Sequence, residues 1–83
     1  MRVKCLFFAA SKDVTGVQEK ELTYAEGTKT DALIANLIEQ FPGLGPIFQS
    51  AVLAVNQEYI DPESPIELKD GDEIAVIPPI SGG

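Results

Sequence analysis

Apolar and polar residues alternate at the start of the chain. Val3 to Ala10 predicts a strand, rich in β-branched and aromatic residues. Side chains alternate along a strand, so Val3, Cys5 and Phe7 point one way and Lys4, Leu6 and Phe8 the other. The far end of this strand is therefore apolar on both faces. Ala10 to Gly16 fits a helical turn closed by glycine. Val17 to Thr23 predicts a second, more polar strand, and Glu26-Gly27 marks a turn.

The period then changes. Leu33, Ile34, Leu37, Ile38 and Phe41 recur at helical spacing. Thr28 and Asp31 in front of them read as a capping box, and Pro42-Gly43 as a stop. Leu44 to Ser50 forms a connector with room for a short helix after Pro46. Val52 to Val55 reads as a buried strand, Asn56-Gln57 as a turn and Glu58 to Ile60 as a small edge strand. Asp61 to Pro65 has loop composition. Ile66 and Leu68 are expected as buried anchors before the turn Asp70-Gly71-Asp72, and Glu73 to Ile77 is the last strand.

One main helix among about five strands implies an α+β domain with the helix packed across one face of a mixed sheet. The first and last strands are apolar enough to be central neighbours. This order matches the β-grasp, or ubiquitin-like, arrangement. The expected domain spans residues 1–77, followed by a tail at 78–83.

Composition narrows the function. With 13 acidic and 6 basic side chains, the net charge is −7. Nucleic acid and anionic membrane surfaces both call for the opposite sign. A basic patch on a partner protein fits instead. One Cys excludes a disulfide framework and a cysteine-ligated zinc or iron–sulfur centre. Without His, the usual His-based catalytic dyads and triads cannot be built from this chain. No signal peptide or membrane-length apolar run is visible, so a cytoplasmic location is expected.

The tail carries candidate chemistry. Pro78 and Pro79 lack backbone N–H groups and hold φ near −65°, so the sheet cannot continue through them. They predict an extended, stiff arm, continued by Ile80 and Ser81. Gly82 and Gly83 have no Cβ and are slim enough for a narrow channel. Such an end can bring the Gly83 carboxylate to another protein's active site.

These features resemble the small-subunit family of molybdopterin synthase, the MoaD-type sulfur carriers, over nearly the whole chain. Phe7-Phe8-Ala9, Lys12-Asp13 and Gly16 are similar to the family's Phe-Phe-Ala, Arg-Glu and Gly, with both charged positions conservatively changed. Leu53 to Tyr59 is similar to its central strand and turn. Asp70 to Glu73 and the Pro-Pro-Ile-Ser-Gly-Gly end are similar to its closing segment.

The resemblance implies that an enzyme of the ubiquitin-activating type, using ATP and Mg²⁺, adenylates Gly83. A sulfur donor then makes a thiocarboxylate. The tail enters the large synthase subunit and gives sulfur to cyclic pyranopterin monophosphate, twice per dithiolene. It implies a heterotetramer of two small and two large subunits. The chain would bind no cofactor or metal of its own and would be an enzyme only as part of the sulfurtransferase complex. Two other readings remain: a sulfur carrier for thiamine synthesis or tRNA thiolation, and a ubiquitin-like protein modifier.

If Val3, Cys5 and Phe7 face the helix, then Leu6 and Phe8 face away. Ile74 and Val76 form the matching core pair, leaving Ala75 and Ile77 outside. Leu6, Phe8, Ala75 and Ile77 thus predict an apolar partner interface beside the tail. Cys5 reads as a small buried hydrophobe rather than a sulfur-chemistry group. The acidic residues from Glu58 to Glu73 suit docking to basic surfaces or simple solubility.

Overall fold

The first strand, β1 (Arg2–Phe7), buries every second residue: Val3, Cys5 and Phe7 are enclosed while Arg2 and Lys4 are exposed. The computed structural model describes residues 1–61 and 63–77. Pro62 and the tail Pro78–Gly83 lie outside the described residues. The other strands are β2 (Glu19–Thr23), β3 (Val52–Val55), β4 (Glu58–Ile60) and β5 (Glu73–Ile77). The helices are α1 (Ala10–Thr15), α2 (Thr30–Gln40) and α3 (Leu44–Phe48).

The five strands form one mixed sheet in the order β2-β1-β5-β3-β4. The first and last strands are neighbours and run parallel, pairing Cys5 with Ile74 and Phe7 with Val76. The other three pairings are antiparallel. One sheet face carries Val3, Cys5, Phe7, Leu22, Leu53, Val55, Ile74 and Val76 into a single core cluster with Leu33 and Leu37 of α2. Both of these leucines are fully buried, and Ile34, Ile38 and Phe41 pack half-buried against the same cluster. Lys20, also on this face, snorkels so that its ammonium lies 5.2 Å from the Phe41 ring centre. The expected β-grasp arrangement is the one observed.

Local chemistry explains most element ends. Gly16 closes α1 in the left-handed region, at φ 78°. Asn56 and Gln57 both take positive φ, as a two-residue hairpin turn requires. The helix α3 starts at Leu44, earlier than expected. Pro46 falls in its first turn, where backbone N–H groups lack helical partners anyway. The first strand is shorter than expected, because Ala9 leaves the sheet at φ 52° and ψ −125°. The second begins at Glu19 rather than Val17.

Two expectations are corrected. The capping box does not form: Lys29 is the N-cap, without a side-chain bond. The reason is competition from the backbone. Thr28 to Thr30 pair with Ile66 to Leu68 through an isolated bridge between Lys29 and Glu67. The Thr30 N–H donates to the Ile66 carbonyl at 2.9 Å, and the Leu68 N–H donates to the Thr28 carbonyl at 2.9 Å. The Thr28 hydroxyl donates to the Ala25 carbonyl at 2.7 Å instead of capping. Asp31 accepts from the Ala32 N–H. The second correction concerns Ile66. Leu68 reaches the core at 2% exposure, but Ile66 is 37% exposed beside an open groove at β4.

Cys5 sits among these core side chains, and burial pushes its thiol from 9.0 up to about 12. Tyr24 also rises, from 10.0 to about 12, through burial first and the neighbouring Cys5 second. In both cases the folded state holds its proton more tightly than the unfolded chain. The stability these groups contribute is complete below their unfolded values and is lost as pH rises toward 12. The urea midpoint should therefore fall between pH 9 and 12, and fall less in Cys5→Val. The native thiol should resist alkylation at pH 8; rapid labelling of folded protein would contradict the burial.

Candidate functional site

The sheet face opposite α2 is the candidate site. Its composition follows from register. Leu6 pairs with Glu19 on one side and Ala75 on the other. Ala75 pairs with Ala54, and Ala54 pairs with Tyr59. Residues paired across strands share a face, so Leu6, Ala75, Ala54 and Tyr59 form one row across four strands. The next row holds Ile77 beside Val52. The row on the other side is polar, with Lys4 beside Glu73 and Glu21. The face thus passes from charged to apolar toward the end of β5, where the tail begins.

The predicted interface residues Leu6 and Ala75 are direct neighbours. Ile77 lies in the adjoining row, half-buried. Phe8 lies just past the end of β1 and is 46% exposed. It borders an open groove of about 500 Å³, also lined by Leu6, Ala9, Lys12, Gln18 and Glu19. That gives an apolar floor with a polar rim, the usual anatomy of a protein interface. The predicted tail residues Pro78, Pro79, Ile80, Ser81, Gly82 and Gly83 fall outside the described residues.

Tyr59 is the residue that the sequence reading missed. It is the most exposed large hydrophobic residue among those described, at 68%. Ala54 beside it is only 2% exposed although it is on the outer face. The signal was present in the hairpin: a two-residue turn at Asn56-Gln57 places residue 55 opposite 58 and residue 54 opposite 59. A Tyr at such a position adds a large, stiff contact surface with a polar tip.

Charge flanks the apolar row on the same face: Glu19 extends it on β2, and Lys4, Glu21 and Glu73 make the next row. Arg2 pairs with Glu21 at 3.1 Å and Lys4 with Glu19 at 3.7 Å, all on exposed side chains. Such pairs add little stability but set the local field. A hollow of about 170 Å³ lies elsewhere, between α2, α3 and β3, and shares no lining residue with the groove at Phe8. Among the described residues no group of three or more Cys, Asp or Glu is arranged to hold a metal ion. No described helix is long and apolar enough to cross a membrane.

Known proteins resemble this chain in sequence and fold. The ThiS family pattern matches residues 5–83. A molybdopterin synthase sulfur carrier subunit from Chlamydomonas reinhardtii is 45% identical over 83 residues, covering all of both chains. The subunit of the same name from Homo sapiens is 39% identical, covering 99% of this chain and 94% of its own. Among solved structures, the complex of subunits 1 and 2 of the molybdopterin-converting factor from Helicobacter pylori contains a similar chain. That chain has a TM-score of 0.71 and 26% identity, with full coverage of both. The small archaeal modifier protein 1 of Methanosarcina acetivorans has a TM-score of 0.82 and 28% identity, covering 99% of this chain and 96% of its own. An open apolar row on a β-grasp sheet and full-length likeness to these carriers lead to one assignment. This chain belongs to the ThiS family, among the molybdopterin synthase sulfur carrier subunits.

Proposed function

We propose that this protein carries sulfur on the carboxyl of Gly83 for the building of molybdopterin. The match along the whole of both chains to a named sulfur carrier subunit carries this reading. The reaction sequence answers a chemical need. A carboxylate is a poor electrophile, so an activating enzyme joins it to AMP from ATP, releasing pyrophosphate. A sulfur donor at the sulfide level then displaces AMP, forming a C–S bond as the acyl–phosphate C–O bond breaks. The resulting thiocarboxylate is an anionic sulfur nucleophile at neutral pH, by the logic that favours thiolates. ATP and Mg²⁺ belong to the activating enzyme, and this chain is that enzyme's second substrate.

Delivery then requires a second partner, the large synthase subunit. Leu6, Phe8, Ala75, Ile77 and Tyr59 are proposed to seat on it while Pro78 to Ser81 lead Gly82 and Gly83 inward. The large subunit supplies acid–base and oxyanion groups, consistent with a chain that has no His. The likeness to one member of a two-subunit complex supports such a partner. A dithiolene has two sulfurs, which suits an assembly of two small and two large subunits. The same reading puts the protein in the cytoplasm, where a lone thiol stays reduced.

A second reading has its own support, the fold likeness to a small archaeal modifier. In that case the activated Gly83 would form an isopeptide with a lysine. Intact-mass analysis after incubation with activating enzyme, ATP and a sulfur donor separates the two. A gain equal to one oxygen-to-sulfur exchange is expected; adducts of this chain on other proteins would favour conjugation.

Deleting Gly83, or making Gly82→Val, should abolish sulfur transfer while changing fold stability by less than about 0.5 kcal/mol. Product formation by the truncated chain would overturn the mechanism. Phe8→Asp or Ala75→Arg should each weaken binding to the large subunit by about 2 kcal/mol or more, measured by calorimetry. Unchanged affinity in both would remove the docking face from the proposal.

A further inference from the structure

The junction between β1 and α1 combines a strained residue, a buried hydroxyl and an exposed aromatic ring. Ala9 sits at φ 52° and ψ −125°, a conformation suited to glycine and costly for any residue with a Cβ. Its position is the second residue of a turn closed by the Ser11 N–H on the Phe8 carbonyl, at 3.2 Å. These angles are those of a type II′ turn, whose first central position favours glycine. Something must hold the turn against that preference.

Ser11 is placed to do so. It is 1% exposed, one of two buried polar residues among those described. Its Oγ accepts the Phe8 N–H at 3.0 Å and donates to the Phe8 carbonyl at 2.7 Å. The Phe7 N–H, bonded to the Gln18 carbonyl at 2.8 Å, is the last of this strand to reach toward β2. Phe8 has therefore left the ladder, and one hydroxyl bridges both its backbone groups. The ring itself stays 46% exposed at the groove shared with Leu6 and Lys12.

We infer that Ser11 is a positioning residue: its buried hydroxyl locks the strained Phe8–Ser11 turn so that the Phe8 ring is held ready for the large synthase subunit. The inference rests on the docking reading above. A ring fixed before binding loses less freedom when it seats, so the clamp raises affinity without touching the partner. The strain at Ala9 also explains why the hydroxyl is needed. With a glycine in place of Ala9 the turn would stand by itself.

A set of full-length variants tests this by calorimetric titration against the large subunit of the same organism, with thermal melting to confirm folding. Ser11→Ala should lose roughly tenfold in affinity, and Phe8→Ala at least as much. The double variant should bind within about twofold of Phe8→Ala alone, because a clamp acts only through what it holds. In an Ala9→Gly background, Ser11→Ala should cost less than about threefold. If Ser11→Ala does not fold, Ser11→Cys, which nearly keeps the volume and weakens both hydrogen bonds, takes its place throughout. Wild-type affinity in Ser11→Ala beside a weakened Phe8→Ala would overturn the clamp and leave the docking face standing. Additive losses, or an equal loss in the Ala9→Gly background, would overturn it too. Wild-type affinity in Phe8→Ala would instead sink the docking face, and the clamp with it.

Discussion

The parallel pairing of β1 with β5 is the contact on which the other elements depend. It joins segments almost seventy positions apart and places them at the centre of the sheet. On one face it aligns Cys5 and Phe7 with Ile74 and Val76, which supply much of the floor under α2. On the other face it sets Leu6 against Ala75. Parallel strands cannot be joined by a tight turn, so the intervening chain must cross over. Here that crossover is the rest of the domain, and its helix α2 covers only one face.

That one-sided cover links the fold to its function. A small domain buries a limited fraction of its surface, about 60% at this size. The core is one layer of helix against sheet, and the opposite sheet face carries the row of Leu6, Ala75, Ala54 and Tyr59. Apolar rows there remain tolerable because Glu19, Glu21 and Glu73 border them and the chain carries a net charge of −7. Charge of one sign opposes self-association of the free chain.

The only cysteine is taken out of chemistry by the same packing. Burial in the core holds the Cys5 thiol protonated far into the alkaline range, its value raised to about 12. A sulfur carrier with an inert thiol is coherent when the transferred sulfur rides on a carboxyl group.

Much of this was legible in the sequence because periodicity is a local property. Alternation assigned Val3, Cys5 and Phe7 to one face and Leu6 to the other. Helical spacing assigned Leu33 and Leu37 to the core, and glycine and proline marked the ends. Other features depended on which segments met. Thr28 and Asp31 had the right types for a cap, but the backbone of Thr28 to Thr30 was claimed by Ile66 to Leu68. Tyr59 joined the outer row only through the pairings of β4 with β3 and β3 with β5. Ser11 became a clamp because Ala9 adopts a conformation that its side chain does not favour. The sequence by itself determined most of the elements and which of their residues share a face. The tertiary structure decided which residues stand side by side, because strand register and backbone competition are settled between distant segments.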